Sequence, residues 1–390
     1  MTATIQKADS PARKLQEAVE AVESHLHPKP SWDVADHPVP TGREEIWRFT
    51  PVSRLKALLD GTPSDAHLAW EESLPAGVTS RALSEQEARL VSAEAPVDRV
   101  SVLAAALSGG AQLIDVPAEA ELDAPVSIVL RGTGELVWGH TIVRIGHHAR
   151  ATVVIRHEGS ARYGAKLDVL VGEGAVVNFV TIQDWADDTV HGGQTSVLVG
   201  RDAQVRTVTV SIGGSLVRLT ETARFAGPGG SLEQFGLYFV DAGQHIEHRL
   251  FVDHNEPQTH SKVDYRGALQ GAGAHSVWVG DVLIRKVAEQ ISTYEANKNL
   301  VLTDGCRADS VPNLEIQTGQ ILGAGHSSTT GRFDDEQLFY LQSRGITPKE
   351  ARRLVVRGFF SAIIAKIGVP ELEKRLLTAI EAELAKSVAA

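Results

Sequence analysis

One spacing constrains this chain more than anything else in it. Val143-Arg-Ile-Gly146-His-His-Ala149 is followed by Val169-Leu-Val-Gly172-Glu-Gly-Ala175, and then by Val197-Leu-Val-Gly200-Arg-Asp-Ala203. Each copy reads strand, glycine, two residues, alanine, strand. The glycines stand 26 (172 − 146) and 28 (200 − 172) residues apart, and Gly227 follows 27 later with Gly230 in the alanine slot. Gly271 with Ala274 keeps the offset after a longer interval. A fixed period of small residues between Val/Ile-rich strands marks stacked coils. Strands of adjacent coils lie about 4.8 Å apart, so each coil repeats the same tight corner, where only glycine or alanine fits. Sandwiches and jelly rolls also alternate strands and turns, but rarely at a constant period. The expected fold is mainly β. It is a right-handed parallel β-helix over residues 116–331, with a helical region before it (1–115) and a helical domain after it (332–390).

The flanks read differently from the core. Leu15, Ala18, Val19, Val22 and Leu26 recur at helical spacing, which predicts an amphipathic helix over 11–26. The proline-rich HPKPSWDVADHPVP must be extended or looped. Pro40 to Pro51 (PTGREEIWRFTP) predicts a helix start capped near Thr41, with its aromatics anchored on the body. Residues 52–95 are mixed and helix-leaning, and SVLAAALSGGAQLI (101–114) reads as a buried helix ending at Gly109-Gly110. Beyond Gly331, Asp334 starts one helix. Thr347-Pro348-Lys349-Glu350 starts a second, with an N-cap threonine, proline at the first position and glutamate at the third. Leu354, Val355, Gly358, Phe359 and Ile363 mark its apolar face, and a third amphipathic helix runs from Pro370. That face needs cover, which packing on the end of the solenoid would provide.

Charge and composition exclude several classes. A net charge of −11 with no dense Lys/Arg run argues against nucleic acid as a partner. No apolar run approaches the roughly 18 residues of a membrane span. The first residues, MTATIQKADSPARK, lack the apolar centre of a signal peptide, so a cytoplasmic protein is expected. Cys306 is the only cysteine. It permits no internal disulfide, and it cannot supply the roughly four ligands, mostly thiolates, of an iron–sulfur cluster.

No Walker A string is present: GPGGS at 227–231 lacks the Lys-Ser/Thr that would reach phosphates. No GxSxG elbow or HExxH helix occurs either. The histidines at 245, 248, 254 and 260 sit among Glu247, Asp253 and Glu256. On a strand period His248 and His254 share a face while His245 points away, which favours stacked, hydrogen-bonded polar residues over a metal site. The acidic loop Asp184-Trp185-Ala186-Asp187-Asp188 reads as a solvated turn.

Residues 300–345 carry the remaining signal. They hold Asp309-Ser310-Val311-Pro312-Asn313-Leu314-Glu315-Ile316, then His326 in a small-residue pocket (Gly323, Ala324, Gly325, Ser327, Ser328), then Thr329-Thr330-Gly331. Asp335-Glu336-Gln337-Leu338-Phe339-Tyr340-Leu341 and Ser343-Arg344-Gly345-Ile346 follow. This ordered set resembles the SufB/SufD family of iron–sulfur cluster assembly scaffolds. The Pro40–Pro51 string resembles an N-terminal signature of the SufD branch that SufB lacks. The resemblance implies the same β-helix and a SufB–SufC–SufD complex, in which this chain pairs with SufB through the solenoids. It further implies a SufC ATPase docked on the C-terminal helices (Leu354, Phe359, Ile363) and no ATP on this chain.

A transient iron–sulfur cluster would be shared with SufB, and His326 at the interface would ligate iron or position a partner thiolate. Cys306, six residues before Pro312, stands where SufB carries its essential cysteine; it reads equally as a small buried hydrophobe. Ala324 and Ser327 stand where the resemblance places a cysteine and a glutamate, which leaves His326 as the main ligand candidate. A FAD on the assembled complex and a homodimer in isolation stay open. The competing readings are a carbohydrate-active β-helix enzyme and a purely structural solenoid. The first needs carboxylates grouped in one groove, and here they are scattered.

Overall fold

The computed structural model describes residues 27–333 and 335–386. The helix expected over 11–26 therefore lies outside the described residues. β1 (Ala69–Ser73), β2 (Thr79–Leu83) and β3 (Ala111–Val116) open the sheet. β4 (Val126–Ile145) and β5 (Arg150–Val171) then pair in parallel along their length, with a register shift between Thr133 and Leu136. The first half of β5 pairs with β6 (Val176–Trp185) and the second half with β7 (Val190–Val199). One long strand thus turns from one face of the molecule to the other.

From there the faces separate. β8 (Gln204–Ile212), β10 (Ser231–Val240), β12 (His260–Leu269), β14 (Ser292–Val301) and β16 (Gly323–Arg332) stack on the even face. β9 (Leu216–Phe225), β11 (His245–His254), β13 (His275–Ile284) and β15 (Arg307–Ile316) stack on the odd face. The strands of both faces are parallel to their neighbours, giving the expected β-helix of about eight turns.

The corners explain the periodicity, and where it fails. Ala149 precedes the first half of β5, Ala175, Ala203 and Gly230 precede β6, β8 and β10, and the three alanines are wholly buried. Each alanine N–H donates to the carbonyl of the glycine three residues back, and the residue between them is left-handed (His148 φ 58, Gly174 φ 65, Asp202 φ 52). Gly271 and Ala274 form the same turn (Gly273 φ 76), but between β12 and β13, at the opposite corner. The two corners share one backbone shape, so spacing alone assigned that copy to the wrong side. At the original corner the slot passes instead to Thr259 and Ile291. The coils there lengthen, with even strands starting 29 (260 − 231), 32 (292 − 260) and 31 (323 − 292) residues apart.

Side chains alternate with period two, so each strand has an inner and an outer set. Inside, Val263, Tyr265 and Leu269 of β12 meet Ile246, Leu250 and Val252 of β11 in the main core. Both outer faces are covered. On the odd face α1 (Lys56–Leu59) and α3 (Arg99–Leu107) bury Leu58, Val100 and Leu103 with Trp47 and Leu216. Trp47 lies under the Arg218 guanidinium at 3.8 Å, and Thr50 donates to Glu247, so the Pro40–Pro51 string anchors the segment as expected. Thr41 donates its N–H and its hydroxyl to the Glu44 carboxylate, but only a 3₁₀ turn (Glu45–Trp47) follows. The helix-leaning stretch 52–95 contains α1 and α2 (Glu85–Val91), yet β1 and β2 lie between them and join the sheet.

On the even face α5 (Pro348–Ile364) and α6 (Pro370–Lys386), preceded by α4 (Asp335–Ser343), cover the flank of the solenoid rather than its end. Phe235, Leu237 and Phe239 of β10 pack there against Val356, Phe360 and Ile363. Thr347 caps α5 by accepting from the Glu350 N–H, with Pro348 at its first position. Because the helices lie along the flank, the last coil is left open.

Candidate functional site at the open end

Among the described residues β15 pairs only with β13 and β16 only with β14, so the last strand of each face presents an unpaired backbone edge. The small-residue pocket expected around His326 is this edge strand. Glycine and serine there leave β16 half open, where earlier strands bury nearly every residue. His27 reaches β15 at Glu315 (3.0 Å), but it supplies no strand, and an unpaired parallel edge is a template for another strand.

Register places the side chains at this mouth. His326 pairs with Glu295 of β14, and Ala324 pairs with Thr293. Ala324 packs on the inner core, so the alternation turns His326, Ser328 and Thr330 inward across the mouth, and Ser327 to the outside. Behind Ser328 runs a polar ladder. Asn299 donates to Asn297 Oδ1 at 2.7 Å, Asn297 donates to the Tyr238 hydroxyl at 2.9 Å, and Ser310 of β15 closes on Asn297 from the facing strand.

His326 has 42% of its side chain exposed, while Glu295 beneath it has 2%. Their Nδ1 and Oε1 atoms stand 3.8 Å apart, beyond hydrogen-bond length. Glu295 Oε1 has no hydrogen-bond partner. Burial, reinforced by the negative charge of Asp281, pushes the Glu295 carboxyl up to about 9. Burial likewise raises Asp281, to about 6, against the opposing hydrogen bond from Asn313. Glu295 escaped the sequence reading because it lies one lengthened coil before His326, 31 residues back (326 − 295), outside the constant period.

Cys306 lies elsewhere. It fills the last position of the corner between β14 and β15, the slot held by Ala274 one coil earlier. Its Sγ lies 3.4 Å from the Gly271 carbonyl and 3.6 Å from Thr303 Oγ1, and the residue packs on the inner core. That corner adjoins Val301 and Arg332, six residues beyond the Glu295–His326 pair. Along the strands this is about 20 Å. Cys306 and His326 cannot hold the same metal ion.

The histidine-rich segment is internally engaged. His245 contacts Glu247 (3.2 Å) and His275 (3.1 Å), and His275 contacts Asp309 (2.7 Å). His254 contacts Thr259 and Ser261 at 2.7 and 2.8 Å, and burial lowers its imidazole to about 3. His248 lies between Tyr238 and Tyr265 with its ring tilted to both, and among the described residues neither of its nitrogens has a hydrogen-bond partner. Asp187 and Asp188 are exposed on their turn. Among the described residues no group of three or more His, Cys, Asp and Glu could hold a metal ion. The one thiol, Cys306, and the mouth imidazole of His326 do not together supply the roughly four ligands of a resident cluster.

The residues expected on one apolar face of α5 divide. Ile363 is 1% exposed and packs on the solenoid, Phe359 is half-buried, and Leu354 is 41% exposed. The buried stripe is Ala351, Val356, Phe360, Ile363 and Ile364, one position round from the face expected. Phe339 and Tyr340 of α4 are also exposed, at 72% and 57%. Among the described residues no helix is long and apolar enough to cross a membrane.

Comparison with known proteins bears directly on this architecture. Residues 128–359 match the family model described as SUF system FeS cluster assembly, SufBD core domain. An iron–sulfur cluster assembly SufBD family protein of Mycobacterium bovis is 50% identical over 377 residues, covering 93% of this chain and 95% of the relative. Its counterpart in Mycobacterium leprae is 48% identical over 363 residues, covering 91% and 93%. The iron–sulfur cluster assembly protein SufD of Bacillus subtilis is 23% identical over 292 residues, covering 73% of this chain and 66% of the relative.

Proposed function

Because the chain belongs to the SufBD family of SUF-system iron–sulfur cluster assembly proteins, we propose that it is the SufD-type subunit of a cytoplasmic SufB–SufC–SufD complex, a scaffold and not an enzyme. Its open coil pairs with the solenoid of SufB. His326 stands at that seam as a metal ligand or as the group that positions a SufB thiolate, and the nascent cluster is cargo shared between the two chains. SufC binds ATP and docks on the C-terminal helices, where Leu354 and Phe359 offer apolar surface over the buried anchor Ile363. Any FAD belongs to the assembled complex. In isolation two copies of this chain pair through the same edges.

One observation carries this reading: the edges of β15 and β16 are unpaired at the coil that presents His326. No thiol of this chain stands near His326, so in this reading a partner supplies the remaining ligands.

The test is co-expression with candidate SufB and SufC chains, followed by measurement of stoichiometry and iron content. A stable three-protein complex is expected, with His326→Ala assembling normally but maturing iron–sulfur enzymes poorly. Iron–sulfur enzymes maturing at the wild-type level with His326→Ala would exclude the ligand role. A stoichiometric stable cluster on this chain alone would exclude the shared one.

A further inference from the structure

Six Asp and Glu side chains are buried among the described residues, and five have partners. Asp98 accepts from Arg218 and Ser101, and Asp168 from Lys166. Glu221 accepts from Tyr265, Glu247 from Thr50, and Asp253 from Arg285. Glu295 is the exception. A buried carboxyl oxygen with nothing bonded to it is costly, and most native proteins avoid one. Here the fold makes room for the group. A Cβ on Gly280 would stand 2.5 Å from Glu295 Oε2, so only glycine at that position admits the carboxyl.

Among the described residues, the only basic side chain within ion-pair reach of that oxygen is His326. The 3.8 Å from Nδ1 to Oε1 is too long for a hydrogen bond. Two donors bonded at about 2.0–2.1 Å to one tetrahedral ion stand roughly 3.3–3.4 Å apart. The observed separation lies within half an ångström of that spacing, and the imidazole is exposed enough for an ion to reach it. We propose that Glu295 Oε1 and His326 Nδ1 form a two-donor site for a divalent transition metal at the mouth of the solenoid, the carboxylate serving as an inner ligand from the next coil. An imidazole–carboxylate pair suits Fe2+, Co2+ or Zn2+, and two donors leave the remaining positions to water or to a partner's side chains. The site deepens the ligand role proposed for His326, and it specifies the ligating nitrogen as Nδ1.

The test uses the purified full chain and Co2+ alone, whose visible absorption reports its coordination. The wild type is expected to take up one Co2+ per chain. Glu295→Gln, which preserves shape, and His326→Gln should each weaken binding by about tenfold or more. The double variant should be no weaker than the poorer single one, because both groups hold one ion. Should Glu295→Gln fail to fold, Glu295→Asp serves instead, since it withdraws the carboxylate by one methylene and should weaken Co2+ to a similar degree.

Several results would overturn the pair. They are Co2+ affinity within about twofold of wild type in the Glu295 variant, wild-type binding by the double variant, or no uptake by the wild type. If His326→Gln alone loses Co2+, the histidine remains a ligand and only the partnership with Glu295 falls. The maturation assay with His326→Ala is a separate measurement and fails on its own terms.

Discussion

At the scale of single residues, Glu247 and Glu295 are both buried, at 0% and 1% exposure, yet they titrate in opposite directions. Burial disfavours the charge at Glu247, but His245, Arg218 and Arg249 outweigh it and hold the carboxyl at about 2. At Glu295 no cation offsets burial, and the carboxyl rises from its ordinary value to about 9. The signs follow from linkage. Glu247 contributes stability that is complete above its unfolded value and is lost as pH falls toward 2. Glu295 keeps in the folded state a proton that the unfolded chain releases, so stability declines as pH rises from the unfolded value toward 9.

Metal-free Glu295→Gln should therefore match the wild type near pH 5 and exceed it near pH 8, by on the order of 1–3 kcal/mol. Glu247→Gln should cost about 3 kcal/mol or more at neutral pH, because two arginines lose their buried counter-charge. That difference should narrow in acid. Urea denaturation of the three proteins across this range decides both points, and a gap for either variant that does not change with pH would refute its assignment. The contrast also marks what could be read from the chain. His326 stands in an ordered motif and was legible. Glu295 became visible only once strand register joined it to His326 across one coil.

At the scale of elements, the repeated corner was legible because its geometry admits few residues: a left-handed residue followed by a small buried one. Which corner a copy occupies was not legible, since Gly271-Ala274 builds the same turn on the opposite side. The C-terminal helices show a related ambiguity. The start of α5 was plain from Thr347, Pro348 and Glu350, whose capping is local. Its buried face was not, because apolar residues occur on two sides of the helix and the solenoid flank selects one.

Phe360 is wholly buried against that flank and Leu354 is on the free side. Phe360→Ala should cost about 3–5 kcal/mol through lost contacts and a cavity. Leu354→Ala should change stability by less than about 0.5 kcal/mol while weakening capture of the SufC ATPase. Thermal melts and pull-down with the ATPase separate the two effects. Equal loss of partner binding and of stability on Leu354→Ala would place that side chain in the core instead.

At the scale of the whole molecule, the two flanks of the solenoid are closed and one end is not. N-terminal segments cover the odd face, C-terminal helices cover the even face, and among the described residues the last strands of both faces keep an unpaired edge. Most proteins blunt such edges with charge, bulges or proline. Here β16 offers glycine, serine and threonine, and β15 has its one proline, Pro312, mid-strand. The openness follows from where the helices pack, on the flank, and so lay outside what periodicity could predict. Val311 and Thr329 alternate with the inward residues of β15 and β16, so their side chains stand outside the mouth. Lysine at both positions should leave the folded subunit intact, with stability within about 0.5 kcal/mol. Association through the edges should nevertheless weaken about tenfold or more, since like charges would be brought strand to strand. Sedimentation of the chain alone, and with a candidate SufB chain, measures that loss directly. Unchanged association of the doubly substituted protein in both settings would mean that the assembly uses another surface, and that the open coil is not the seam.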